Sequence, residues 1–242
     1  MTQTHIHHDK ALAAFKQRIH LAELVIFDFD GVVADSEVLS LETLRTALAR
    51  FEIYLSVNRT REMFLGTSLR TISAYVKSHG TGAIDTFEKT WEADLFTRFK
   101  ADLSPVPLVV ELLDVLDDLG RTYCIASSGT HERIGIALKA MGLLDRFSHI
   151  FSAEQVAQGK PAPDLFNFAA ESLQVDPSAC LVIEDSPFGV RAANAAGMTC
   201  FGFTGGQHMK GRQAQCTELL SSVGADMVLS SFEGVSELRS KT

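Results

Sequence analysis

Six short apolar runs punctuate the chain: LVIF at 24–27, TYCIA at 122–126, HIF at 149–151, CLVI at 180–183, TCFGF at 199–203 and DMVL at 226–229. They are continuous rather than alternating, as strands covered on both faces of a parallel sheet are. Helical patterns separate them. LVVELLDVLDDLG (108–120) carries its apolar residues at helical spacing and ends in glycine, and HERIGIALKAMGL (131–143) follows the second strand. After CLVIEDS comes PFGVRAANAAGM, with Ser186 placed to cap a helix, Pro187 at its first position and Gly197 just past its end. Strand–helix alternation of this kind predicts an α/β fold with a doubly wound parallel sheet.

One stretch breaks the alternation. From Val38 to Asp102 the pattern reads helix after helix, including LSLETLRTALARF and TFEKTWEADLFTRFK, and SPVP at 104–107 closes it. The expected organisation is an amino-terminal extension (1–22), a helical cap inserted at 38–102, and an α/β core from 23–37 and 103–242. His5, His7 and His8 read as part of a mobile, solvated extension rather than a metal tract. No internal repeat or low-complexity tract interrupts this plan.

Composition narrows the function. Of 242 residues, 46% are hydrophobic and 21% charged, a globular balance. The formal charge of −8 offers no basic stripe for a row of phosphates, which speaks against a nucleic-acid partner. No apolar run approaches the roughly 20 residues of a membrane span, and the amino end lacks a signal-peptide core. The four cysteines, Cys124, Cys180, Cys200 and Cys216, show no CxxC spacing and read as reduced, mostly buried thiols. The expectation is a soluble, cytoplasmic protein acting on a small molecule.

The chemistry sits where the runs end. Ligands of an open parallel sheet bind beyond the carboxyl ends of its strands. The first run ends in Asp28-Phe29-Asp30-Gly31, the second in Ser127-Ser128, the fourth in Glu184-Asp185-Ser186, and GKPAPDLF places Lys160 just before a helix opening near Pro163 and Asp164. Parallel strands bring these groups to one edge. Buried ionised carboxylates need a partner, a metal or a proton. The carboxylates of Asp28, Asp30, Glu184 and Asp185, with no histidine pair among them, favour Mg²⁺ over zinc. Asp28 and Asp30, two apart in extended chain, share a face, so one can attack a reacting centre while the other handles protons.

Taken together, DFDGVVADSE, IASS, GKPAPDLF and VIEDSPFGVRAANAAGM resemble, in order, the four motifs of the haloacid dehalogenase-like superfamily, in its phosphatase branch with a helical cap after the first motif. The similarity runs from about Leu24 to about Leu229 and is greatest to sugar-phosphate phosphatases, phosphoglycolate phosphatases and β-phosphoglucomutase. It implies that Asp28 is the nucleophile forming an aspartyl-phosphate and that Asp30 protonates the leaving oxygen and then activates water. It further implies that Ser127 hydrogen-bonds a phosphoryl oxygen and that Lys160 neutralises charge. Mg²⁺ would be held by Asp28, the backbone carbonyl of Asp30 and Asp185, with Glu184 acting directly or through water. Gly31 would let the backbone turn beside the phosphate, and the Ser128 N–H could donate to it. The loop FLGTSLR brings Gly66, Thr67 and Arg70 forward as cap contacts to substrate. Trp91 reads as cap core and His131 as a helix-start residue.

Alternatives of the same family can be weighed from single positions. Dehalogenases lack the second aspartate, which Asp30 supplies here. Mutases of the β-phosphoglucomutase type place a histidine where this chain has Ser40, and basic residues where it has Leu65 and Leu69. Receiver-type signalling modules need neither the helical insert nor the aspartate pair. Val32 stands where many relatives carry threonine. The resulting expectation is a Mg²⁺-dependent phosphatase for a small phosphate monoester, a sugar or polyol phosphate.

Overall fold

A computed structural model describes residues 3–65, 67 and 69–239. In chain order the elements are α1 (Gln3–Leu21), β1 (Leu24–Phe27), α2 (Glu37–Ala49), α3 (Val57–Phe64), α4 (Leu69–His79), α5 (Phe87–Asp102), α6 (Val109–Asp118) and β2 (Thr122–Ser127). There follow α7 (His131–Ala140), β3 (Ile150–Ser152), α8 (Asp164–Ser172), β4 (Cys180–Glu184), α9 (Pro187–Ala195), β5 (Thr199–Phe203), α10 (Gln213–Ser222) and β6 (Met227–Leu229). All six apolar runs are strands. They form one parallel sheet in the order β3-β2-β1-β4-β5-β6.

Both faces of this sheet are buried, which is why its strands read as unbroken apolar runs. Val25 and Phe27 of β1 join a core with α1, α6 and α7, while Leu24 and Ile26 join the opposite core under α8, α9 and α10. Cys124, Cys180 and Cys200 are buried in that second core as free thiols. The helix after β4 is capped as its sequence predicts: Ser186 Oγ accepts from Gly189 N at 3.0 Å, Pro187 opens the helix, and Gly197 leaves it with φ +72°.

Helices α2 to α5 lie between β1 and α6 with no strand among the described residues there. Their buried residues are continuous with the core that holds Val25 and Phe27, and among them Phe87 meets Phe51 edge-on and stacks on Trp91. The two chain segments that connect this layer to the sheet run side by side: Asp35 N donates to Ser104 O at 3.0 Å and Val106 N to Val33 O at 2.9 Å.

The amino-terminal extension departs from expectation. Residues 3–21 form a helix docked beside β6, with Phe15 and Ile19 fully buried and the Phe15 ring 5.4 Å from that of Phe201. Lys16 ion-pairs with Glu237, and Arg121 donates to His20 O. The reason is the spacing of Ala11, Phe15 and Ile19, four residues apart on one helix face. The side chains of His5, His7 and His8 lie outside the described part.

Candidate functional site

The register of the parallel sheet aligns the carboxyl ends of β1, β2 and β4, and the chemistry-bearing residues of three separate segments meet there. Lys160 is the centre of the arrangement. Its Nζ donates to Asp28 Oδ1 and to Glu184 Oε1, each at 2.6 Å, and to the carbonyl of Ala126 at 2.9 Å. The Lys160 side chain is 3% exposed and Glu184 is fully buried. One ammonium thus bridges the ends of three neighbouring strands.

A single positive charge does not balance this cluster. Asp28, Glu184 and Asp185 each bring a carboxylate oxygen within 4.8 Å of the others, all buried. Burial, reinforced by Glu184 and Asp185, pushes the Asp28 pKa well up despite Lys160. Burial and then Glu184 do the same to Asp185. Burial works against the Lys160 ammonium, yet Asp28 and Glu184 outweigh it and hold the lysine charged. Glu37, at the start of α2, is raised to about 7 by burial and by Asp30 and Asp185. A set of oxygen donors with surplus negative charge, and no sulfur or imidazole among them, suits a hard divalent cation.

Glu184 is tied on both sides. Its Oε1 takes Lys160, and its Oε2 accepts from Ser186 N at 2.8 Å and Ser186 Oγ at 3.0 Å. It sits so close to α9 that a Cβ on Gly189 would fall 1.7 Å from Oε1. The Asp30 carboxylate stands outside the acidic cluster. Its Oδ1 accepts from Arg133 Nη2 at 2.7 Å and from the hydroxyl of Ser36. The same Arg133 nitrogen lies 3.5 Å from Ser40 Oγ, and its guanidinium lies over the ring of Phe99 in α5. Arg133 therefore touches both the core and the helical layer.

Above these groups opens a cavity of about 710 Å³. Asp28, Asp30, Ser127, Ser128, Lys160, Glu184, Asp185 and Thr67 all line it. Ser127 Oγ accepts from Gly129 N at 3.0 Å, which leaves its hydroxyl proton to donate. Thr67 Oγ1 donates to Phe64 O at the cavity rim. Trp91 lines the cavity as well as packing in the helical layer, whereas His131 is exposed and turned to Glu154 and Ile150 O.

Two expected substrate contacts lie elsewhere, and a third falls outside the described residues. Gly31 is not in the cavity wall but behind it: with φ +84° it packs on Asp185, whose Oδ2 would stand 2.0 Å from a Cβ there. The tight turn brings the backbone close against the acidic cluster. Arg70 is exposed on α4 and off the cavity, while Leu69 and Thr71 on either side of it line the wall. A long charged side chain in the first turn of an amphipathic helix goes to water while its apolar neighbour covers the interior. Gly66 lies outside the described residues.

Three residues escaped sequence reasoning. Arg133 and Glu37 carried a positional signal, each in the first turn of a helix that starts at the sheet's functional edge. His208, 4% exposed in a 3-10 turn (Gln207–Met209), carried none. Its Nε2 lies 3.2 Å from Asp185 Oδ2, and burial lowers its pKa against the pull of Glu37 and Asp35.

With this geometry in hand, comparisons with known proteins decide the family. The model of the haloacid dehalogenase-like hydrolases matches residues 25–203. The chain belongs to this family. Among curated relatives it is 30% identical over 178 residues to fructose-1-phosphate phosphatase of Escherichia coli K12, covering 72% of this chain and 92% of that protein. It is 29% identical over 196 residues to β-phosphoglucomutase of Bacillus subtilis, covering 77% and 85%. Among solved structures it is similar to a haloacid dehalogenase family hydrolase from Deinococcus radiodurans with bound phosphate and sodium. That match has a TM-score of 0.72 at 29% identity over 89% of this chain and 94% of the other. No helix among the described residues is long and apolar enough to cross a membrane.

Proposed function

We propose that the protein is a Mg²⁺-dependent phosphatase that hydrolyses a small phosphate monoester, a sugar or polyol phosphate, through an aspartyl-phosphate on Asp28. The observation that carries this reading is the Lys160 bridge. A buried ammonium holds one oxygen of Asp28, itself part of the cavity wall, beside an acid cluster that one cation does not neutralise.

In the first half-reaction the free Asp28 oxygen attacks phosphorus, the ester P–O bond breaks, and Asp30 gives its proton to the departing oxygen. In the second, Asp30 takes a proton from water as that water forms a new P–O bond, and the acyl-phosphate bond breaks to restore Asp28. Ser127 donates to a phosphoryl oxygen, and Lys160 steadies charge on nucleophile and phosphate. Asp28, the backbone carbonyl of Asp30 and Asp185 would hold Mg²⁺, which supplies positive charge against the phosphoryl oxygens. Glu184, with both oxygens bonded to Lys160 and Ser186, acts by holding them in place. Helices α2 to α5 serve as a cap that excludes water during the first step.

Phosphate release from a panel of phosphosugars, with Mg²⁺ or with EDTA, tests the reading beside Asp28→Asn. Metal-dependent release that disappears in the variant supports it. Absence of inorganic phosphate, with a phosphosugar isomer formed instead, would replace hydrolysis by phosphoryl transfer back to the sugar.

A further inference from the structure

The part of the cavity beyond the phosphoryl groups has a composition that selects among leaving groups. Five side chains of the helical layer, Leu65, Leu69, Trp91, Leu95 and Phe96, and Phe188 from the core give it an apolar wall. Trp91, Glu92, Leu95 and Phe96 come from one face of α5, so Glu92 sets a carboxylate beside that apolar wall.

Charge around the whole cavity is one-sided. Six carboxylates line it, against two cations among the described residues, and both cations are engaged. Lys160 holds Asp28 and Glu184, and Arg133 holds Asp30. The remaining arginines of the helical layer are directed elsewhere. Arg50 pairs with Asp94, Arg59 with Glu62 and Arg98 with Asp102, Arg70 is exposed, and Arg45 and Arg61 line a separate groove between α2 and α3. Away from Lys160 and the proposed Mg²⁺, a second anionic group on a substrate would therefore meet the apolar wall and Glu92, with no unengaged side-chain cation lining the cavity among the described residues. Hydroxyls, by contrast, find an acceptor in Glu92, and C–H faces find the apolar wall.

Resting on the phosphatase reading, we infer that the substrate carries its phosphate on an uncharged, hydroxylated leaving group, and that Glu92 is the residue that rejects anionic alternatives. The site then takes monophosphates of neutral sugars or polyols and turns away bisphosphates and phosphorylated sugar acids.

Two matched pairs test this: glucose 6-phosphate against 6-phosphogluconate, and fructose 1-phosphate against fructose 1,6-bisphosphate. kcat/KM for phosphate release is measured on the full chain, and Glu92→Gln and Glu92→Lys are compared with the parent. The neutral member of each pair is expected to win by about tenfold or more, with the ratio narrowing in Glu92→Gln and narrowing further in Glu92→Lys. Equal or better use of the anionic members, or ratios unmoved by both variants, overturns the inference. The chain has one tryptophan, Trp91, in this wall, so its fluorescence reports occupancy without turnover. Titrating Asp28→Asn with the same pairs separates the two claims. If no phosphate is released from any substrate the phosphatase reading falls, and the fluorescence affinities still decide for or against exclusion of the anionic members.

Discussion

Replacing Lys160 by Met keeps an unbranched side chain of similar reach and removes only the ammonium. The loss is concentrated, because that one group bonds Asp28, Glu184 and the Ala126 carbonyl inside a site where Glu184 has no solvent exposure. Breaking a buried ion pair from one side costs roughly 3–5 kcal/mol, because the abandoned charge stays buried. For a chain of this size that corresponds to a fall in Tm of roughly 6–20 °C.

The pH dependence makes the prediction sharper. Asp28 already has a raised pKa in the folded protein, so its contribution to stability is full below the ordinary carboxylate pKa and is lost as pH rises through the folded value. Lys160 is what holds that value down. Without it the Asp28 pKa climbs further, and the penalty at high pH grows. In metal-free buffer with EDTA, thermal unfolding of Lys160→Met should therefore show most of the loss at pH 8 and less than half of it at pH 5, where the carboxylates can take protons. A loss below about 1 kcal/mol at pH 8, or an equal loss at both pH values, would refute the idea that Lys160 neutralises the Asp28–Glu184 pair.

Three further changes probe other parts of the argument. Because Asp28 and Asp185 are raised toward the protonated form, Mg²⁺ binding should release protons and tighten as pH rises; calorimetric titrations in buffers of different ionisation enthalpy measure this, and a buffer-independent heat would contradict it. Gly31→Ala places a Cβ 2.0 Å from Asp185 Oδ2 at a backbone φ of +84°, so the variant should lose the Mg²⁺-induced rise in Tm as well as roughly 1–3 kcal/mol of stability. Phe15→Ala should lower stability by about 3–5 kcal/mol in urea denaturation, and leave kcat unchanged below its unfolding temperature because α1 lies away from the cavity.

The sheet was legible because burial on both faces writes an unbroken apolar run, and each of the six runs became a strand within a residue or two of its sequence limits. The helix after β4 was legible for a different reason: Ser186, Pro187 and Gly197 each satisfy a backbone demand specific to a helix end. α1 is hard to read because the buried residues among its described side chains, Ala11, Phe15 and Ile19, are spread among Lys10, Lys16, Gln17 and Arg18. An apolar face of one residue per turn is enough to dock a helix when a hydrophobic sheet edge is waiting, and the sequence does not show the edge.

The site divides along the same line. Asp28, Ser127, Glu184 and Asp185 can be grouped from the sequence because parallel strands bring their carboxyl ends to one edge, and Lys160 joins them from the loop that opens α8. Arg133 needed one more step. Thr130 caps α7 by accepting from Arg133 N at 3.2 Å, which puts Arg133 in the first turn. A helical side chain leans toward its own amino end, and here that end faces the strand edge, so a long cation in this turn reaches back to Asp30. THERI carries the cap, and the strand–helix alternation supplies the edge that the cap faces. His208 admits no such argument. It reaches Asp185 because Gly31 and Gly206 leave room for its ring, each without a Cβ that would lie within 3 Å of it. A residue positioned by the absence of atoms, at Gly206 in its own turn and at Gly31 in a distant segment, leaves no periodicity to read, so the partner of a buried carboxylate is legible only when a regular element delivers it.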